Sequence, residues 1–270
     1  MPPSATAYAP AADAARGPTA AEAGLRACSM WFNGVPITER QAFPPAIGPQ
    51  CWVYLTLNAE IALSMPHNWA LQRLVQQPRV RVSVDGQWLW WALRRKYPEQ
   101  PLAKLSGSDL IYQLAAHCER HQMRLHLLGS TAEANDLAVK QLQARHPTLM
   151  VSGFAPAPYR LGDPHGEAAL TAAALAAIEA SRPNYVVLGL GADKEQRLAL
   201  ALAPRLDQRV AGLLCFGGAI DMASGRVRRA PRWMQVGGLE ALYRVWQQPA
   251  RLPRLLRVLR LLPTLVAGRY

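Results

Sequence analysis

Six short apolar segments alternate with helical patterns along this chain, and that alternation constrains its fold more than any other feature. The segments are rich in valine, leucine and other strand-forming residues, and they occupy 51–57, 80–84, 123–128, 148–154, 184–191 and 210–216. One intervening helical pattern, 59–77, contains Pro66 and should be kinked or split there. The alternation predicts an α/β fold, with a Rossmann-like, mostly parallel sheet flanked by helices and joined by right-handed crossovers.

The composition changes after residue 225. Residues 226–270 carry ten arginines against one glutamate, a net charge of +9, whereas the preceding 225 residues carry only +3. From Arg251 onward, arginine recurs every third residue among leucines, which predicts a basic amphipathic helix suited to an anionic membrane surface. A C-terminal helix packed on the domain, with solvated arginines, is the alternative. We expect a catalytic domain over 25–225 and a basic C-terminal appendage over 226–270.

The remaining composition favours a cytoplasmic protein, either soluble or peripherally bound to the inner membrane. Residues 1–24 are rich in alanine, proline and glycine, and they predict a disordered leader rather than a signal peptide. No uncharged apolar run approaches the roughly 18 residues of a membrane-spanning helix. The four cysteines are scattered without a C-x-x-C pair, so the sequence predicts no metal site.

One carboxylate stands at a position where open α/β sheets bind ligands. Asp85 directly follows the segment 80–84, and Gly86 allows the backbone to turn after it. Taken alone, the pair is also what an ordinary turn requires. The residues around it therefore leave a site and a simple turn both open.

Two other classes of function remain as alternatives. Gly189 and Gly191 follow a predicted strand and suggest a dinucleotide-binding oxidoreductase, but Lys194 stands where the fingerprint needs its third glycine. The arginine-rich end also contains aromatic residues that would suit a nonenzymatic module binding RNA or lipid. No recognised nucleic-acid motif frames those residues, so no nucleic-acid partner is expected.

Several motifs in order resemble the WecG/TagA/CpsF family, glycosyltransferase family 26, over about residues 51–254. Each motif alone is common, and the ordered set is specific. The motifs are Thr56-Leu-Asn58, Asp85-Gly86, Ser106-Gly-Ser-Asp109-Leu110, Leu128-Gly129, Val187-Leu-Gly-Leu-Gly191, Gly217 to Gly225 followed by Arg229-Ala-Pro231, and Gly238-Leu-Glu240 with Tyr243-Arg244.

The resemblance implies transfer of a hexose-type sugar from a UDP-sugar to a polyprenyl-diphosphate-linked sugar at the inner membrane, in surface or exopolysaccharide assembly. It implies inversion at the anomeric carbon, without a metal or other cofactor. Asp85 would be the general base, and Thr56 and Asn58 would position acceptor and donor near it. The remaining substrate-binding positions it implies are Lys104, Gly129, Gly189, Gly191, Gln196, Gly218, Asp221, Arg229, Arg232 and Arg244.

The chain also departs from the family pattern. The family's P-K-Q-E appears as Ala192-Asp-Lys-Glu-Gln196, Lys104 stands in place of arginine, Ile220 in place of an aromatic residue, and Ala241 in place of tryptophan. N-acetylmannosaminuronate, N-acetylmannosamine and glucose all occur as donor sugars within the family. The sequence leaves the donor open, and likewise the acceptor, the linkage and the oligomeric state, a homo-oligomer included.

Overall fold

A computed structural model describes residues 30–40, 43, 51–206 and 209–260. The predicted leader at 1–24 lies outside the described residues, and so does the last part of the predicted C-terminal helix, at 261–262.

The described part of the chain forms a two-stranded hairpin and a six-stranded parallel sheet. In the hairpin, β1 (Trp31–Phe32) pairs antiparallel with β2 (Val35–Pro36). The strands of the main sheet lie in the order β4-β3-β8-β7-β5-β6, which confirms the predicted α/β fold. They are β3 (Trp52–Leu57), β4 (Val80–Val84), β5 (Arg124–Gly129), β6 (Met150–Phe154), β7 (Tyr185–Gly189) and β8 (Gly212–Cys215).

Helices connect and flank these strands. The predicted break at Pro66 is confirmed, because the helical pattern 59–77 forms two helices and Asn68 caps the second by accepting from Leu71 N at 3.0 Å. The helices are α1 (Ala59–Ser64), α2 (Trp69–Val75), α3 (Gln87–Lys96), α4 (Gly107–Arg120), α5 (Ala132–Arg145), α6 (Pro164–Ser181), α7 (Lys194–Leu202), α8 (Ala219–Ala223), α9 (Arg232–Val236), α10 (Glu240–Gln247) and α11 (Leu252–Arg260), with a 3₁₀ turn at Pro249–Arg251.

The sheet is buried on both faces, which explains why its strands are nearly continuous apolar runs. Successive residues of one strand enter different cores: Val186 and Leu188 pack in the cluster that contains Leu71, and Val187 packs in the cluster that contains Leu114. Helix α2 supplies Leu71 and helix α4 supplies Leu114. The sheet thus forms the middle of three layers.

The strand order places the first and last core strands side by side. After β3 the chain moves outward to β4, and β7 and β8 later fill the space between β3 and β5. Thr56 Oγ1 of β3 donates to Cys215 O of β8 at 3.0 Å, across this junction. In open α/β sheets a crevice forms outside the carboxyl ends of the strands at such a reversal of order.

The C-terminal helices expose large apolar side chains. Helix α11 contacts α1 and α10, which holds the end of the described chain against the domain. No helix among the described residues is both long and apolar enough to cross a bilayer. The division at residue 225 stays a prediction. The exposed apolar side chains of α9, α10 and α11 are Trp233, Val236, Leu242, Trp246, Leu252 and Leu256.

Candidate functional site

A cavity of about 500 Å³ opens at the carboxyl ends of strands β3, β4, β5, β7 and β8. The loops that follow these strands line it, together with helices α10 and α11 and the turn between them. The structure thus brings together residues that are far apart in the sequence. The predicted site residues that line the cavity are Thr56, Asn58, Asp85, Gly189, Gly191, Gly218, Asp221 and Arg244.

Asp85 lies where strand β4 ends. Its backbone N donates to Leu57 O at 2.7 Å, and Gly86, with φ of +85°, turns the chain into helix α3. Burial raises the pKa of the Asp85 carboxyl, and the charge of Glu240 raises it further. A hydrogen bond with Ser106 opposes that rise in pKa. A carboxyl with a raised pKa in a cavity is a candidate proton acceptor.

Two arginines act on the same carboxyl. The charges of Arg244 and Arg229 lower the pKa of Asp85, against the effects of burial and Glu240. The pKa of Asp85 still lies above its ordinary value, because burial is the largest influence. Asp85 is therefore set between a carboxylate and two cations that come from the C-terminal part of the chain.

Thr56 and Asn58 line the cavity beside Asp85 and also hold local structure. The Thr56 hydroxyl joins β3 to β8, as described above. Asn58 Oδ1 accepts from Ile61 N at 2.9 Å and so caps helix α1. Both predicted residues are thus fixed at the end of β3.

Glu195 was not among the predicted site residues, and it lines the cavity with 2% of its surface exposed. Its Oε1 accepts from Leu190 N and Gly191 N, each at 2.9 Å, and its Oε2 accepts from Gly217 N at 3.1 Å. Burial raises its pKa to about 7, although the three backbone N–H groups oppose that rise. The carboxyl joins the loop after β7 to the loop after β8.

Gln196 lies behind the cavity rather than in its lining. It is buried, and its Oε1 accepts from Asp193 N at 2.7 Å and from Asn68 Nδ2 at 3.0 Å. These contacts cap helix α7 and join it to α2. Of the two side chains, Glu195 is the one that lines the cavity and Gln196 is the one used in capping.

Arginines from the C-terminal helices converge on the loop after β8. A Cβ placed on Gly218 would lie 3.0 Å from Arg244 Nη2 and 3.6 Å from Arg251 Nη2. Burial lowers the pKa of Arg251, and the neighbouring charges of Arg244 and Arg254 lower it as well. Three cations at one end of a cavity favour an anionic ligand there. Arg251 and Arg254 had been predicted only as part of a basic tail.

Asp221 lies near the same cations. Ser130 Oγ, at the end of β5, donates to Asp221 Oδ1, and both residues line the cavity. The Asp221 carboxylate also acts on Arg251, whose pKa it raises against the effect of burial. Ser130 was not predicted, because a serine in a strand-to-helix turn is common in parallel sheets.

Lys104 and Gly129 were predicted to bind substrate and lie just outside the lining. Lys104 Nζ donates to Gln87 Oε1 at 2.9 Å, and Gln87 does line the cavity. Gly129 pairs with Gly189 across β5 and β7, and a Cβ on Gly129 would lie 2.6 Å from the Gly189 carbonyl. Gly129 therefore permits a close approach of two strands below the cavity.

Arg229 and Arg232 also lie outside the lining. Arg229 pairs with Asp109 at 2.8 Å and lies 3.7 Å from Glu240, so it is held near Asp85 by two acidic neighbours. Arg232 is exposed at the start of α9. The charge of Arg229 lowers the pKa of Asp85 from outside the lining.

Among the described residues, no group of three or more His, Cys, Asp or Glu side chains is arranged to hold a metal ion. Asp85 and Glu240 offer carboxyl groups to a ligand, and Arg244, Arg251 and Arg254 offer cations.

In a comparison with models of known protein families, the chain matches a model described as the glycosyl transferase WecG/TagA/CpsF family. The match spans residues 46–269, which is most of the chain. The matched range contains every residue named above as lining the cavity.

Proposed function

The chain belongs to the WecG/TagA/CpsF family of glycosyltransferases and is therefore an enzyme that transfers sugars, and we propose that it moves a hexose-type sugar from a UDP-sugar to a polyprenyl-diphosphate-linked sugar. The reaction serves surface or exopolysaccharide synthesis, inverts the anomeric carbon and needs no metal. Family membership removes the support for an oxidoreductase and for a nonenzymatic RNA- or lipid-binding module.

The observation that carries the proposal is one cavity that holds both a partly buried carboxyl and a cluster of arginines. Asp85 supplies the carboxyl, and Arg244 and Arg251 converge over Gly218 at the arginine end. An inverting transfer needs a base at the acceptor hydroxyl and positive charge at the departing diphosphate. The cavity of about 500 Å³ lies within the range of small-molecule sites.

In the proposed reaction, ionised Asp85 accepts the proton of the acceptor hydroxyl. The hydroxyl oxygen forms a bond to the anomeric carbon while the bond from that carbon to the diphosphate oxygen breaks. The electron pair of the broken bond leaves with UDP. The guanidinium groups of Arg244 and Arg251 stabilise the charge that develops there, because arginine can bind phosphate oxygens in pairs.

The C-terminal helices suit a lipid-linked acceptor. Trp233 and Trp246 are 67% and 76% exposed, and arginines lie on the same helices. Exposed tryptophan together with arginine favours the interface of an anionic membrane. We propose that this segment rests on the cytoplasmic face of the inner membrane and presents the cavity to the acceptor.

The experiment that tests the function measures transfer from radiolabelled UDP-glucose, UDP-N-acetylmannosamine and UDP-N-acetylmannosaminuronate to a polyprenyl-diphosphate-sugar acceptor. We expect transfer with at least one donor. Asp85→Asn should lower kcat by roughly 10²- to 10⁴-fold, the range for loss of a general base. Asp163→Asn is the matched control, because Asp163 also precedes a helix but does not line the cavity.

The two parts of the proposal fail separately. No transfer from any of the three donors would contradict the substrate assignment. Transfer by Asp85→Asn at the rate of the Asp163→Asn control would remove Asp85 from the mechanism.

Membrane association is tested by flotation with vesicles of phosphatidylglycerol or of phosphatidylcholine. We expect binding to the anionic vesicles only, weakened when Trp233 and Trp246 are both replaced by serine. Trp69→Ser is the control, because Trp69 is also an exposed tryptophan, with 46% of its surface accessible, but lies on α2. Equal binding by the double variant and the control would contradict the assigned membrane face.

A further inference from the structure

Glu195 is the side chain through which the loops after β7 and β8 are joined. One carboxyl oxygen accepts from the first loop, at Leu190 N and Gly191 N, and the other accepts from the second loop, at Gly217 N. Both loops line the cavity. One buried carboxyl group therefore links the two loops at this point.

The contacts require both oxygens of that carboxyl. A carboxylate has only acceptors, and it can serve donors on two sides at once. A glutamine of the same shape would keep one oxygen for one loop and would turn an NH₂ group towards an N–H donor of the other. Replacing the carboxyl by an amide thus releases one loop without creating a void.

The loop after β8 is also the one over which the arginines converge. Gly217 has a φ of +58°, and the adjoining Gly218 faces Arg244 Nη2 and Arg251 Nη2. A shift of Gly217 would move the backbone against which these guanidinium groups lie. Glu195 is therefore connected, through Gly217, to the cationic end of the cavity.

We propose that Glu195 is a positioning residue for the donor diphosphate. By joining the loops after β7 and β8, it fixes the backbone beside Arg244 and Arg251, so that diphosphate oxygens contact both cations at once. This inference rests on the function proposed above, since it takes the anion at that end to be the diphosphate of a UDP-sugar.

Capping of helix α7 does not account for Glu195. That helix is capped through Gln196 Oε1, which accepts from Asp193 N at 2.7 Å. Glu195 instead accepts from the loop after β7, which leads into α7, and from the loop after β8. Its contacts thus link two loops of the cavity in addition to the cap that Gln196 provides.

The test compares the binding of UDP and of uridine to the full chain and to Glu195→Gln. Calorimetry gives the Kd of each ligand. Above about pH 8, where Glu195 is ionised, we expect the Kd of UDP to rise by about tenfold or more, because a hydrogen bond to a charged group is lost from a buried loop. The Kd of uridine, which lacks the diphosphate, should stay unchanged.

Glu119→Gln is the matched control. Glu119, near the end of α4, also accepts from a loop backbone, Thr148 N at 3.2 Å, but Thr148 precedes β6 and so lies at the opposite end of the sheet from the cavity. We expect wild-type binding of both ligands by this variant.

Each outcome separates the two proposals. If the unaltered chain binds UDP and uridine with the same Kd, the diphosphate adds no affinity. The proposed donor is then wrong, and this inference is overturned with it. If the chain binds UDP and Glu195→Gln binds it equally well, only the positioning role is overturned. If Glu195→Gln loses UDP and uridine to the same extent, Glu195 is a general structural residue and the inference is likewise overturned.

Discussion

Arg254 Nε lies 3.7 Å from Glu60 Oε1, and this ion pair joins the C-terminal helix α11 to helix α1, which follows the first core strand. Arg257 reaches the same carboxylate at 3.6 Å. Half-exposed ion pairs contribute at most about 1 kcal/mol each, so burial of Leu255 must add to the docking of α11. The helix therefore contributes to the cavity on one side while Leu256 stays exposed on the other.

Arginines on this segment should differ in function according to where they lie. Arg251 lines the cavity and Arg257 does not, although both belong to the same basic repeat. Arg251→Ala should raise the Kd of UDP by roughly ten- to a hundredfold, the cost of a lost charge-assisted hydrogen bond. Calorimetry with UDP measures this effect.

Arg257→Ala is the companion variant. Its side chain is 66% exposed and lies 3.6 Å from Glu60, so the Kd of UDP should change by less than about twofold. Binding to phosphatidylglycerol vesicles should weaken instead. A similar loss of UDP affinity in both variants would contradict a specific contact of Arg251 with the diphosphate. The arginines would then act only through the overall positive charge of the segment.

The pH dependence of transfer should report the pKa of Asp85. A base must be ionised to accept a proton, so kcat/KM should rise with pH and level off above a pKa that lies higher than the ordinary aspartate value. Glu240→Gln removes a negative charge that raises this pKa, so the rise should move to lower pH. A pH–rate profile of each enzyme with the active donor measures the shift.

Glu179→Gln controls for the loss of one carboxylate, since Glu179 is exposed on α6. Its profile should coincide with that of the unaltered enzyme. A rise that moves to higher pH in Glu240→Gln would contradict the assignment of the base to Asp85.

Much of the fold could be predicted because local pattern and tertiary packing agree. Strand β4 has the predicted bounds, 80–84, and the helical pattern 59–77 is split as predicted. A fully buried parallel strand is apolar at nearly every position, which separates it clearly from an amphipathic helix. The order of the strands in the sheet could not be obtained this way, because it depends on contacts distant in the sequence.

Residues of the cavity that belong to recognisable motifs could be predicted from the sequence. Residues that only the tertiary fold brings to the cavity were missed. Asp85 could be located from a strand end followed by glycine, but only the family resemblance favoured a site over a simple turn. Glu195 and Gln196 are neighbours of similar shape, and only the direction of helix α7 decides which one lines the cavity. Arg251 lies more than 30 residues after the end of β8 in the sequence. It belongs to a 3₁₀ turn that packs near the loop after β8, so that its guanidinium group lies close to Gly218. Sequence spacing carries no signal for such a contact.

Stability should fall as pH rises through the range in which Glu195 ionises. The pKa of Glu195 is raised from 4.5 to about 7 in the folded protein, so the folded state retains a proton that the unfolded state loses between these values. Its contribution to the free energy of unfolding is therefore greatest below about pH 4.5 and declines by up to about 1.4 kcal/mol per pH unit until about pH 7. Urea unfolding at several pH values measures the decline.

Glu195→Gln provides the comparison, because glutamine does not titrate. The difference in free energy of unfolding between the unaltered chain and this variant should decrease from pH 5 to pH 7 and stay constant above. Asp85 also has a raised pKa and is present in both proteins, so its effect cancels in the difference. A constant difference over the whole range would mean that burial does not raise the pKa of Glu195.

Gly129 and Gly162 separate two reasons for needing glycine. Both have positive φ, +126° and +84°, but a Cβ on Gly129 would lie 2.6 Å from the Gly189 backbone, whereas a Cβ on Gly162 would meet nothing within 4 Å. Gly162→Ala should therefore cost only the backbone strain, about 1–2 kcal/mol of the free energy of unfolding. Gly129→Ala adds a backbone clash and should cost at least about 3 kcal/mol, because strands β5 and β7 must separate. Equal midpoints and slopes for the two variants in urea unfolding would contradict the close approach of the strands beneath the cavity.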